Sequence, residues 1–239
     1  MKIRIFALLV ALTVISCAKK EGNLQISGNV DGLNKGTLYI QKLEDTTLVM
    51  LDSIEIRGDS KFETTLQLDS PQMIYLFLDR GVSKTIDNSL PIFAEPGKIN
   101  VETTLETFFA NAKVTGSKNH DLYEEYKKVK SRFTNQELAF TEAELNAFKD
   151  RKSLPADHDE KYQANVARRY LYAINFAVTH KDHEIAPYIA LYEIPNAGLK
   201  YVEMIRDEMT PEVAKSKYGK MLRAYIAGRR KLEPVSTVQ

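Results

Sequence analysis

Across Val114-Thr115-Gly116-Ser117-Lys118-Asn119 the hydrophobic pattern of the chain changes its period. Before this stretch, apolar residues recur at about every second position, and after it at about every 3.6 positions. Upstream, Leu24, Ile26 and Val30 alternate with Gln25, Ser27 and Asn29. Phe62, Thr64, Leu66 and Leu68 do the same, as do Ile99 and Val101. Such alternation marks half-buried strands. Ile74, Leu76 and Leu78 alternate with Tyr75 and Phe77, which predicts a strand covered on both faces. Asp31-Gly32, Asn34-Lys35-Gly36, Arg57-Gly58-Asp59, Asp69-Ser70-Pro71, Arg80-Gly81 and Glu95-Pro96-Gly97 supply turn chemistry between the runs. No helical stretch long enough for a parallel crossover lies between them. About eight antiparallel strands in a sandwich or open barrel are therefore expected over 24–116.

Downstream, Leu122, Tyr126, Val129 and Phe133 fall on one helical face, with Asn119 as a candidate N-cap. Ser153-Leu154-Pro155 interrupts the pattern. Asp157 or Asp159 can cap a second helix, and short helices are predicted over 186–193 and 199–209. Thr210-Pro211 opens a last helix whose inner side runs through Val213, Lys217, Met221, Tyr225 and Gly228. The fold class is α+β: an antiparallel sandwich or open barrel, then a helical bundle over 117–233 and a tail over 234–239. The junction near Gly116 is too short and too poor in Gly, Ser and Pro for a flexible linker. The looser point is expected at 149–159.

The chain has 239 residues, 33 basic against 32 acidic side chains, and a formal charge of +1. That balance gives no electrostatic reason to expect a nucleic-acid binder, which needs a concentrated basic surface. There is 1 cysteine and there are 4 histidines. No intrachain disulfide, Cys-x-x-Cys pair or cysteine-rich zinc site can form.

Met1–Ser16 has Lys2 and Arg4 ahead of the apolar run Ile5–Ile15, which is the layout of a signal peptide and too short for a membrane span. Val14-Ile15-Ser16-Cys17 resembles the bacterial lipobox, and the single cysteine falls at the position that signal requires. The resemblance implies cleavage before Cys17, lipidation of its thiol and a tether over 17–23. Multiple acyl chains hold a protein to a bilayer stably, at ~0.8 kcal/mol per buried CH₂. Ala18 in place of Asp implies the outer membrane, and the single Glu21, a poor match to a surface-display patch, implies the periplasmic face.

Five segments carry a second resemblance: Leu24–Val30, Gly36–Ile40, Leu51–Ser53, Phe93–Ile99 and Val114–Ser117. In order and spacing they resemble the DUF4369 domain of Bacteroidetes lipoproteins. In that family it precedes the catalytic domain of thioredoxin-like (TlpA/ResA, AhpC/TSA) thiol–disulfide oxidoreductases. Ser216–Leu222 resembles the segment that leads into that catalytic domain, whereas here Pro234–Gln239 follows shortly. Cys17 is the only thiol and is assigned to lipid, so no redox activity is expected.

The chemistry-bearing clusters have plain structural readings. His180, Asp182, His183 and Glu184 form a polar loop more readily than a metal site. His158 belongs to a helix start. Asp52 has no nearby histidine and is assigned to a strand-edge hydrogen bond. Gly28, Gly32 and Gly36 are read as turn glycines, not a phosphate cradle. Arg168-Arg169 and Arg229-Arg230-Lys231 read as solvated faces. The tyrosines of the second half, such as Tyr188 and Tyr218, should pack between helices with surface hydroxyls, or line a peptide or glycan groove. No catalytic, metal-binding or cofactor-binding residues are expected. The expected function is a lipid-anchored, non-enzymatic binding or scaffolding module, with the membrane and another envelope protein as partners. The alternative is the accessory half of a split thiol–disulfide oxidoreductase.

Overall fold

The computed structural model describes residues 22–79 and 88–232. The signal segment, Cys17, the tether up to Glu21, the Arg80-Gly81 turn and the 234–239 tail lie outside the described residues. Eight strands come first: β1 (Leu24–Asp31), β2 (Lys35–Glu44), β3 (Thr47–Arg57), β4 (Lys61–Leu66), β5 (Gln72–Asp79), β6 (Ser89–Ala94), β7 (Gly97–Thr104) and β8 (Lys113–Thr115). Six helices follow: α1 (Lys118–Asp150), α2 (His158–Thr179), α3 (Ile185–Tyr192), α4 (Leu199–Glu208), α5 (Pro211–Lys215) and α6 (Lys217–Leu232). The class is α+β, as expected.

The strands form two four-stranded sheets, ordered β4-β1-β7-β8 and β3-β2-β5-β6. Their inward residues, among them Leu24, Ile26, Leu38, Ile40, Leu76, Leu78, Ile92 and Val101, make one buried core. Fully burying side chains of this size stabilises by about 1.5–3 kcal/mol each. One pairing departs from the antiparallel expectation: β1 runs parallel to β7, from Leu24 beside Gly97 to Asp31 beside Thr104. The connection between them is the whole second sheet, so no crossover helix is required. Gly28 lies within this parallel pair and is not a turn glycine. A Cβ there would come within 2.1 Å of the Val101 carbonyl oxygen. Gly36 also sits in a strand, and of the three only Gly32 occupies a turn, with φ +83°.

A second core joins the sandwich to the helices. Met73 of β5 and Phe93 of β6 point out of the sheet and are buried among Tyr123, Tyr188, Ile189, Tyr218 and Leu222. The Phe93 ring meets Tyr188 and Tyr218 edge-on, with centroids 5.4 and 5.8 Å apart. The Tyr218 hydroxyl, expected at the surface, instead accepts a hydrogen bond from the Met73 amide at 2.9 Å.

The N-cap of α1 is Ser117, not Asn119. Ser117 Oγ accepts from the His120 amide at 3.0 Å and donates to the Phe93 carbonyl at 2.6 Å. Glu95 takes the free Lys118 and Asn119 amides at 2.7 and 3.3 Å. Asn119 is buried and joins two helix starts, its Oδ1 accepting from the Ile185 amide at 2.9 Å. α1 then runs unbroken for 33 residues. Its last buried residue is Tyr126; beyond it Lys130 reaches Glu193 at the end of α3 at 2.5 Å, and the remainder runs along α2 as an arm.

The expected last helix is two helices. Thr210 caps α5 and Pro211 starts it, but Ser216 is extended, at φ −64° and ψ 172°. Its Oγ donates to the Val213 carbonyl and accepts from the Gly219 amide. The break resets the helical phase, so α6 buries Tyr218, Gly219, Leu222 and Ile226 rather than Lys217, Met221, Tyr225 and Gly228.

Candidate functional site

The helices cover only part of the outer face of the β3-β2-β5-β6 sheet. Along β5, the outward residues pass from Met73, buried under helices, to Tyr75 and Phe77, both half-buried, of which Phe77 lies away from the helical core. The expectation that this strand is covered on both faces therefore holds at one end only. Beyond the helices, Tyr39 of β2, Leu48 and Met50 of β3 and Phe77 line an open groove of about 420 Å³, with Gln41 and Asp79 at its sides. Leu48 is 53% and Met50 55% exposed. Tyr39 and Phe77 stack with centroids 6.4 Å apart and planes 20° from parallel. Their side chains leave this way because Leu38 and Ile40, one residue to either side of Tyr39, fill the sandwich core.

β3 ends the sheet and, among the described residues, is paired along one side only, to β2. Its ladder shifts register where Ile40 faces Asp52 and Gln41 faces Met50, leaving Leu51 as the extra residue. The bulge restores Met50 and Leu48 to the outer face beside Gln41 and Leu43. On the other side of the bulge, Asp52 accepts a hydrogen bond from the Thr64 hydroxyl of β4, which ties the rims of the two sheets. This is the strand-edge role expected of Asp52.

The histidines stay apart. His180 Nδ1 lies 2.9 Å from the Phe176 carbonyl oxygen, and His183 Nδ1 lies 2.8 Å from Asp182. His158 packs edge-on against Phe140, with Nε2 3.4 Å from the Phe140 carbonyl. Among the described residues, no three His, Cys, Asp or Glu side chains gather to hold a metal. The basic pairs are engaged too. Arg169 donates to Glu137 at 2.9 Å, Arg229 to the Ala197 carbonyl at 2.6 Å and Arg230 to Glu203 at 2.6 Å. Burial pushes the Tyr123 phenol up to about 12, with the Glu193 carboxylate adding to it, and it raises Tyr188 and Tyr218 as well. These hydroxyls are packing and hydrogen-bonding groups, not bases.

Residues 24–123 form a DUF4369 domain, a domain of unknown function. No curated protein and no solved structure matches the chain. The DUF4369 match runs past the last strand and takes in the first turn of α1. That turn is bonded to β6 and to Glu95 through Ser117, Lys118 and Asn119, so it belongs physically with the sandwich. The open groove lies wholly within the DUF4369 domain. The residues of this groove are not those expected from the sequence, where a peptide or glycan groove falls among the helical tyrosines. The signal was there in Leu48-Val49-Met50-Leu51, four apolar residues in succession, which place apolar side chains on both faces of a strand.

Proposed function

We propose that this chain is a lipid-anchored protein of the bacterial cell envelope that binds and does not catalyse. Its bound partner is an extended segment of another envelope protein, laid beside β3 with an apolar side chain in the Tyr39–Leu48–Met50–Phe77 groove. The observation that carries this reading is the coincidence of an exposed apolar groove with a sheet edge paired on one side only. An added strand gains main-chain hydrogen bonds from such an edge, and the adjoining pocket selects its side chain. A long edge left open otherwise invites aggregation. The anchor rests on the apolar run that ends in Val14-Ile15-Ser16-Cys17, the outer-membrane placement on Ala18, and the periplasmic face on the single Glu21 of the tether. Among the described residues no helix is long and apolar enough to cross a membrane.

The resemblance of Ser216–Leu222 to the segment ahead of a thioredoxin-like domain favours a second reading, in which the partner is such a catalytic protein and this chain its accessory half. One experiment serves both. The tagged chain is recovered from detergent-solubilised envelope as wild type, Met50→Glu and Cys17→Ser. The proposal expects a partner with the wild type and its loss with Met50→Glu, whereas Cys17→Ser releases the chain from membranes or leaves it uncleaved. Identical partners for wild type and Met50→Glu, or a free thiol at Cys17 in the native protein, would sink it. The identity of the partner separates the two readings.

A further inference from the structure

A second cleft, of about 380 Å³, opens at the end of the sandwich between β2, the segment joining β4 to β5, and the α5–α6 break. Four lysines line it, Lys42, Lys215, Lys217 and Lys220, against the two carboxylates Glu44 and Asp69. Lys42 is held by Glu44 at 2.5 Å. Lys217 is half-buried, and its ammonium donates to the neutral Oε1 of Gln72 at 2.6 Å. Its backbone amide donates to Ser70 Oγ at 3.1 Å, which fixes the residue across the junction and leaves the Ser70 hydroxyl proton available. Lys215 and Lys220 are exposed and make no ion pair among the described residues.

Three ammonium groups thus converge on one cleft without a carboxylate of their own. Burial lowers the pKa of Lys217, the charge of Lys42 lowers it further, and Glu44 only partly offsets this. The repulsion from Lys42 outweighs the attraction of Glu44, so the field at Lys217 is net positive. Four ammonium groups against two carboxylates leave an excess of +2. A phosphate monoester brings about −1.5 to −2 near neutral pH and several strong acceptors, which fits compact ammonium donors. We infer that this cleft binds a phosphate monoester group, presented by a soluble anion or by a lipid headgroup.

The full chain, held in the neutral detergent dodecyl maltoside, is titrated calorimetrically with inorganic phosphate, with dihexanoyl phosphatidic acid and with dihexanoyl phosphatidylcholine. Binding of inorganic phosphate or of phosphatidic acid is expected, with no binding of the zwitterionic lipid. Binding of phosphate alone identifies a soluble ligand, and binding of phosphatidic acid alone identifies a headgroup. The double variant Lys215→Gln/Lys220→Gln changes only exposed side chains and should weaken binding by about tenfold or more, since charge-assisted contacts are lost. Its thermal unfolding should match the wild type. No binding of inorganic phosphate or of phosphatidic acid, equal binding of phosphatidylcholine, or unchanged affinity in the folded double variant would overturn the inference.

Discussion

Tyr218 and His120 show at the scale of single residues how the sandwich and the helices are locked together. The Tyr218 hydroxyl is the partner of the Met73 amide, and both residues are buried. Removing that oxygen leaves a buried N–H without an acceptor. Tyr218→Phe is therefore expected to lower the unfolding free energy by about 1–3 kcal/mol, read from denaturant midpoints at unchanged slope. His120 is buried beside β6, and its Nδ1 accepts from the Phe93 amide at 3.3 Å. That bond places the proton on Nε2, 3.5 Å from Glu124. Burial drives the imidazole below its ordinary 6.5, and the Glu124 carboxylate, itself half exposed, pulls the other way and is outweighed. The sign follows directly. As pH falls through 6.5 the unfolded chain takes up a proton that the fold refuses, so stability declines below that pH and is flat above it. His120→Asn can still accept from Phe93 but cannot titrate. Between about pH 7.5 and about pH 5 it should lose less stability than the wild type. An equal loss in both proteins would remove His120 from the account. Neither contact was legible in the sequence, because each joins positions far apart in the chain. What was legible at this scale was local: Thr210 as a cap with Pro211 behind it, and Asp52 at a strand edge.

The α5–α6 break shows at the scale of elements where periodicity stops being informative. Lys215-Ser216-Lys217 contains neither glycine nor proline, so the pattern reads as continuous helix. The break is made by tertiary packing, with Ser216 bonded both ways and the amide of Lys217 held by Ser70. Gly219 permits it. A Cβ there would stand 2.1 Å from the Val213 carbonyl oxygen, which is backbone and cannot step aside. Gly219→Ala is expected to cost about 3 kcal/mol, far more than the helix-propensity gain from alanine. A variant as stable as the wild type would mean that the break is not built as described. The strands were easier to read, since period two requires one face to be buried and six of the eight strands meet only antiparallel neighbours. The parallel β1–β7 pair escaped because strand order is set by which edges meet, and alternation says nothing of that. The same limit hid the groove. Outward apolar residues on β2, β3 and β5 are unremarkable singly and become a site only when the sheet order places them side by side.

The whole molecule is two layers of strand and a helical layer that covers the sheet in part, with an α1–α2 arm extending from it. Because Met73 and Phe93 are buried among helix residues, the sandwich and the helices share a core. Limited trypsin digestion should cut first after Arg151 or Lys152, at the exposed turn between α1 and α2, while the bond after Lys118 stays protected by the Ser117–Glu95 clamp. Preferred cutting at Lys113 or Lys118 into two folded fragments would mean that the halves do not depend on one another. The functional account stands on the part of the sheet that the helices leave open. Site-specific photo-crosslinking in intact cells addresses it directly, with p-benzoylphenylalanine in place of Met50 in the groove or in place of Lys61 on the outer face of the other sheet. The account predicts a discrete adduct with one envelope protein from position 50 and none from position 61. No adduct from position 50, or the same adducts from both positions, would contradict it.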